Sequence, residues 1–222
     1  MSQNQHLIQS FLNNNDENGD YNQYWYSSRT IDNMAQGTHY SSPTKLSLSH
    51  THMYILNYNN SIDITEQINN AGINEFRVAF LSTPSIYFSL PEAIRGNCYV
   101  FDFDKKWDND RGFVFYDFNE PTNVPSELIG TFDMMVVDPP FIVREVWEKY
   151  ATTCKLLLKK GTKGRLLLTT VNENLSMLQD ILGEDVYATN FLPSIPNLVY
   201  QYNLYVNYQS NVFSKKNPEI PE

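Results

Sequence analysis

The sequence predicts an α/β protein built on one mostly parallel sheet of about seven strands. Three observations carry that prediction. From Glu75 onward, short apolar runs alternate with amphipathic stretches, the pattern of successive βαβ units. Runs such as FRVAFLS, FDMMVVD and RLLLTTV carry apolar residues at consecutive positions, as strands covered on both faces do. The runs also end in Ser, Thr or Asp, so one rim of the sheet is expected to be polar.

Along the chain, residues 1–20 are polar and Asn-rich and read as a mobile tail. QYWYSSRTIDNMAQ (23–36) reads as an aromatic knot followed by a helix, with Ser27 or Ser28 as N-cap. Residues 37–61 read as an irregular connection. SIDITEQINNAG (61–72) reads as a short helix closed by Gly72. Strands are expected over 76–82, 98–104, 112–118, 132–138, 165–171, 186–192 and 200–208. A short helix follows the first strand, a long one over 142–161 follows the fourth, and a third spans 172–183. The last two strands are joined by a Pro-bearing connection and are expected to be antiparallel. This divides the chain into a tail (1–20), an N-terminal segment packed on the core (21–72), the α/β core (73–210) and a polar tail (211–222).

The 222 residues suffice for one domain with a real core. No apolar run approaches the roughly 20 residues that span a bilayer. No basic stretch leads into an apolar one near Met1, so no secretory signal is read there. Cys98 and Cys154 are the only cysteines; they make no metal framework and suit a reducing compartment. These features predict a location in the cytosol, or in cytosol and nucleus; a monomer is expected, although nothing in the sequence decides self-association. A net charge of −9 argues against nucleic acid as the main partner, since phosphate neutralisation needs basic surface.

The most informative stretch is TFDMMVVDPPF (131–141). Four apolar residues lead to Asp138, and Pro139 and Pro140 then remove two backbone donors and stop the strand in a stiff turn. Phe141 follows beside the carboxylate. In open α/β sheets ligands bind at the C-terminal strand ends, where the strand order reverses. There the second strand offers Asp102 and Asp104, the third Asp117, the fourth Asp138 and the fifth Thr169 and Thr170. A carboxylate ending the second strand suits a ribose diol, and Asp117 suits an adenine amino group. Each of these acids could equally cap a turn. FLSTPSIYF lacks the Gly-rich turn that cradles phosphates, which argues against NAD, FAD and ATP. His50 and His52 read as surface loop residues, and no metal site is expected.

An Asp-Pro-Pro-aromatic element on the fourth strand resembles the signature of S-adenosylmethionine-dependent amino-group methyltransferases. QYWYS (23–27), FLSTPSIY (80–87), FDFDKKW (101–107), FVFYDFNEP (113–121), VVDPPF (136–141) and YVNY (205–208) extend the likeness. Together they resemble the eukaryotic lysine methyltransferases of translation elongation factor 1-alpha, a family first labelled as N6-adenine DNA methyltransferases. The resemblance implies a class I methyltransferase fold, S-adenosylmethionine as cofactor and a protein lysine as acceptor. It implies that Asp102, or else Asp104, holds the ribose and Asp117 the adenine. Ser82, Thr83 and Pro84 would line the methionine moiety. Asp138 and Phe141 would receive the acceptor amine beside the cofactor, with Pro139 and Pro140 setting the backbone. Tyr24, Trp25 and Tyr26 would close over the site or pack as core. The chain departs from the family at Pro193-Ser194-Ile195 and Tyr200-Gln201-Tyr202, which fall on the substrate-facing rim. N6-adenine methylation of RNA and a non-catalytic binding domain are the alternatives.

Overall fold

The computed structural model describes residues 63–72, 75–193 and 201–217. The expected N-terminal tail, aromatic knot, adjoining helix and irregular connection, with Tyr24, Trp25, Tyr26, His50 and His52, lie outside these residues, as do Ser194, Ile195 and Tyr200.

Seven strands form one sheet: β1 Val78–Leu81, β2 Cys98–Asp102, β3 Phe113–Phe115, β4 Met134–Val137, β5 Arg165–Val171, β6 Tyr187–Ala188 and β7 Tyr202–Val206, in the order β3-β2-β1-β4-β5-β7-β6. Strands β1 to β5 run parallel to one another, and β7 runs antiparallel to both β5 and β6. The strand order reverses between β1 and β4. That is the position at which such sheets bind ligands.

The helices are α1 (described over 63–71), α2 (Pro84–Ser89), α3 (Arg144–Leu157) and α4 (Leu175–Leu182). Pro84 opens α2, where its missing N–H costs nothing. Gly72 follows α1 with φ +102°, a backbone that side-chain-bearing residues rarely adopt. The long helix stops at Leu157, short of Gly161, because Leu158 is drawn into a parallel bridge with Phe132. The sixth strand keeps only two of its expected seven residues, since its pairing with β7 is limited to Tyr187–Val206 and Ala188–Tyr205.

Strand alternation splits the interior into two cores. Val78, Phe80, Val100, Met134, Val136, Leu167, Leu204 and Val206 face α1 and α2. Ala79, Leu81, Phe101, Met135, Val137, Leu166, Leu168 and Tyr205 face α3 and α4. The segment 211–217, part of the stretch read from composition as a polar tail, packs on the first core. Phe213 is 1% exposed, and the Asn217 side chain donates to the Leu192 carbonyl at 2.9 Å.

Candidate active site

The site follows from strand register. Leu81 of β1 pairs with Phe101 on one side and Val137 on the other, and Val137 pairs with Leu168. One residue further on, Asp102, Ser82, Asp138 and Thr169 therefore stand in a row across four adjacent strand ends. Their strand neighbours two positions back, Val100, Phe80, Val136 and Leu167, all belong to the first core, so alternation places Asp102, Asp138 and Thr169 on that face, whereas Ser82, with φ +56°, turns its hydroxyl toward Tyr150 of the second core.

Asp102 is 5% exposed, and one of its oxygens accepts the Asp104 N–H at 2.8 Å. Burial pushes its carboxyl up to about 6, against the backbone hydrogen bond that favours the ion. Asp104 is differently employed. Its Oδ1 accepts the Lys106 N–H at 3.0 Å, and its Oδ2 pairs with the Lys106 ammonium at 2.9 Å. Both acids thus cap a local turn; Asp104 also spends its second oxygen on Lys106, and Asp102 is the acid in the row. Asp117 lies beyond β3 and accepts the Asn119 N–H at 2.8 Å in a tight turn.

Asp138 keeps some solvent-exposed surface although its carboxyl is crowded by protein atoms, the signature of a group at the floor of a concavity. Burial pushes it up to about 7. Thr169 is the polar neighbour that opposes this shift, yet its Oγ1 is buried and reaches no partner with ordinary hydrogen-bond geometry. The Thr83 hydroxyl, beside Ser82, is likewise buried and without a partner. Buried orphan hydroxyls are costly, and two on one rim point to a ligand that completes them. Pro139 is buried and Phe141 is 50% exposed, held edge-on by Phe118 at 6.4 Å. Asn174 ties the segment after the prolines to β5, donating to the Ile142 carbonyl at 2.8 Å and to the Thr170 hydroxyl at 2.9 Å.

Three contributors carry no sequence signal for a role. Tyr150 of α3 reads as a core residue by helical spacing, yet its hydroxyl meets Ser82 Oγ at 2.6 Å. Tyr202 feels the Asp138 charge from β7, and burial with that charge pushes its phenol up to about 12. Phe118 supports Phe141. Among the described residues no group of His, Cys, Asp or Glu is arranged to hold a metal ion, and no helix is long and apolar enough to cross a membrane.

A doubly wound sheet with two raised carboxyls and two unsatisfied hydroxyls at its switch point defines a class of protein: an α/β domain with a polar site at its strand ends and no Gly-rich phosphate-cradling loop. The family described as probable N6-adenine methyltransferase matches residues 54–210, and the chain belongs to that family. EEF1A lysine methyltransferase 1 of Homo sapiens is 34% identical over 141 residues, covering 61% of this chain and 63% of that protein. Protein-lysine N-methyltransferase EFM5 of Saccharomyces cerevisiae is 30% identical over 149 residues, covering 60% of each. EEF1A lysine methyltransferase 1 of Danio rerio is 34% identical, covering 62% of this chain and 84% of that protein. The chain thus spans a little under two thirds of the human and yeast proteins. Among solved structures, magnesium protoporphyrin IX methyltransferase of Synechocystis PCC 6803 gives a TM-score of 0.47 at 13% identity, covering 74% of this chain and 90% of that one. That overlap is too loose to carry an inference.

Proposed function

We propose that the protein is an S-adenosylmethionine-dependent methyltransferase acting on a lysine ε-amine of a protein, with translation elongation factor 1-alpha as the acceptor. The observation that carries this reading is the pairing of a half-buried, raised Asp138 with a projecting Phe141 at the switch point of the sheet. The names of the relatives support the protein acceptor.

The rim suits the cofactor. Asp102 offers a carboxylate to the ribose hydroxyls, and Asp117 keeps an oxygen for an adenine amino group. Ser82, Thr83 and Pro84 line the methionine end, where the orphan Thr83 hydroxyl would find a partner. Trp25 and Tyr26, with Tyr24, are proposed to close over the site. When bound, S-adenosylmethionine supplies an activated methyl group on a cationic sulfonium.

The chain's own residues manage the acceptor. Pro139 and Pro140 hold the turn rigid, so that Asp138 and Phe141 meet the incoming amine in fixed positions. An arriving ammonium favours the ionised form of Asp138, and the acid in turn orients it. The amine must lose its proton before its lone pair can attack. Desolvation on the floor of the site favours the neutral amine, and a carboxyl titrating near 7 is matched to take up a proton at neutral pH. Phe141 offers its face to the amine or to the methylated product.

The family description favours a second reading, adenine in RNA as acceptor, with the base stacked on Phe141. The net charge of −9 disfavours it. Incubation with radiolabelled S-adenosylmethionine, cell protein and cell RNA tests both. Label in a protein band of elongation-factor size supports the lysine reading. Label recovered only as N6-methyladenosine overturns it.

A further inference from the structure

Tyr150 occupies the buried face of α3, and its ring is 1% exposed. It stacks on Phe118 at 6.0 Å and meets Tyr116 at 5.7 Å. Phe118 in turn supports Phe141, so the ring anchors both the loop after β3 and the turn after β4. Its hydroxyl reaches a third segment. Ser82 Oγ lies 2.6 Å away, and Ser82 is the only non-glycine among the described residues with positive φ, at 56°.

An L residue keeps that backbone only where its surroundings over-determine it. Two bonds do so here. The Ser82 N–H donates to the Phe101 carbonyl at 2.9 Å, and the Ser82 side chain is held by Tyr150. The turn they fix leads directly into Thr83, whose buried hydroxyl has no partner, and into Pro84 at the start of α2.

We propose that Tyr150 is a positioning residue for cofactor binding: its phenol donates to Ser82 and holds the left-handed turn that presents Ser82 and Thr83 to S-adenosylmethionine. The proposal rests on the function proposed above. The phenol is the more acidic of the two hydroxyls and is the donor, which leaves the Ser82 proton for the ligand. Burial raises Tyr150 well above its ordinary value, so this donor keeps its proton throughout the working range. A phenylalanine would preserve the ring contacts with Phe118 and Tyr116 and remove only the hydroxyl. Packing and positioning therefore separate in a single variant.

The test is a double-mutant cycle read by calorimetry with S-adenosylhomocysteine, at a temperature well below the melting point of each variant. Tyr150→Phe weakens binding about tenfold, the size of one well-placed hydrogen bond. Glycine adopts the left-handed backbone unaided, so in the Ser82→Gly background the same substitution costs less than about twofold. Unchanged affinity in Tyr150→Phe, or an equal loss in both backgrounds, overturns the proposal while the functional reading stands. Failure of the wild-type protein to bind S-adenosylhomocysteine overturns the functional reading and this proposal with it.

Discussion

Asp102 and Asp138 stand level on β2 and β4, each one residue beyond the partner of Leu81 on the strand between them. Burial raises both, but their surroundings differ. Asp102 receives backbone N–H groups and titrates near 6; Asp138 faces an unpaired threonine hydroxyl and titrates near 7. The acid with more donors is the easier to ionise, as befits one that accepts from hydroxyls. The other is poised at neutral pH, which suits the amine-facing role proposed for it.

These shifts set a pH dependence of stability. A carboxyl raised in the folded state stabilises the fold fully below its unfolded value near 4, and that stability is lost as pH rises through about 6 for Asp102 and about 7 for Asp138. Asp63 is also raised by burial and acts in the same direction, so a difference between variants is the cleaner readout. In melting scans of the ligand-free protein, Asp138→Asn should match the wild type at about pH 4 and exceed it near pH 8. A difference constant across that range would remove the assigned shift.

Thr169 gives a second test, because its hydroxyl is buried without a partner. Thr169→Val keeps the shape and discards the orphan, so the melting temperature should hold or rise, within about 1 kcal/mol of stability. Methyl transfer should fall. A loss of several kcal/mol would mean that the hydroxyl has a structural partner.

Six of the seven strands were legible within two or three residues at each end, chiefly because burial on both faces forces consecutive apolar residues that few other structures require. β6 was not, since its length depends on how far β7 stays alongside it. That is a tertiary matter with no local signal. The same limit applies to the site. Asp138 stands out because two prolines mark the end of its strand. Choosing between Asp102 and Asp104 needs the Lys106 pairing, which no spacing rule reveals. Tyr150 was invisible, because a tyrosine on the inner face of a helix looks the same whether its hydroxyl is idle or bonded to Ser82.

The Asp102–Asp104 distinction is directly measurable. Asp102→Asn removes a charge-assisted acceptor and should weaken S-adenosylhomocysteine binding by roughly 10- to 150-fold, equivalent to about 1.5–3 kcal/mol. Wild-type affinity should also fall as pH drops below about 6, and the variant should lose that dependence. Asp104→Asn breaks a partly exposed ion pair and a turn cap, costing roughly 1 kcal/mol of stability and little affinity. The reverse pattern, measured by calorimetry, would transfer the ribose role to Asp104.

Asp138→Asn is the decisive substitution for chemistry. It keeps the shape and an accepting carbonyl oxygen, but it can neither carry charge nor take up a proton. Cofactor affinity should change by less than about threefold, because the ribose and methionine contacts proposed above lie at the end of β2 and just beyond β1. Turnover should fall by two or more orders of magnitude, since orientation and proton handling are lost together. Phe141→Ala should act in the same direction but by about tenfold, the scale of one cation–π or stacking contact. Its ring is half exposed, so the fold should not suffer. Both acceptor classes predict these losses, so the label must be followed to its destination. With elongation factor 1-alpha as acceptor, Asp138→Asn should abolish labelling of a lysine peptide identified by mass spectrometry, and free adenosine or RNA should not compete. Lysine labelling retained in the variant would remove Asp138 from the reaction, and lysine labelling lost to competing RNA would move the acceptor to nucleic acid.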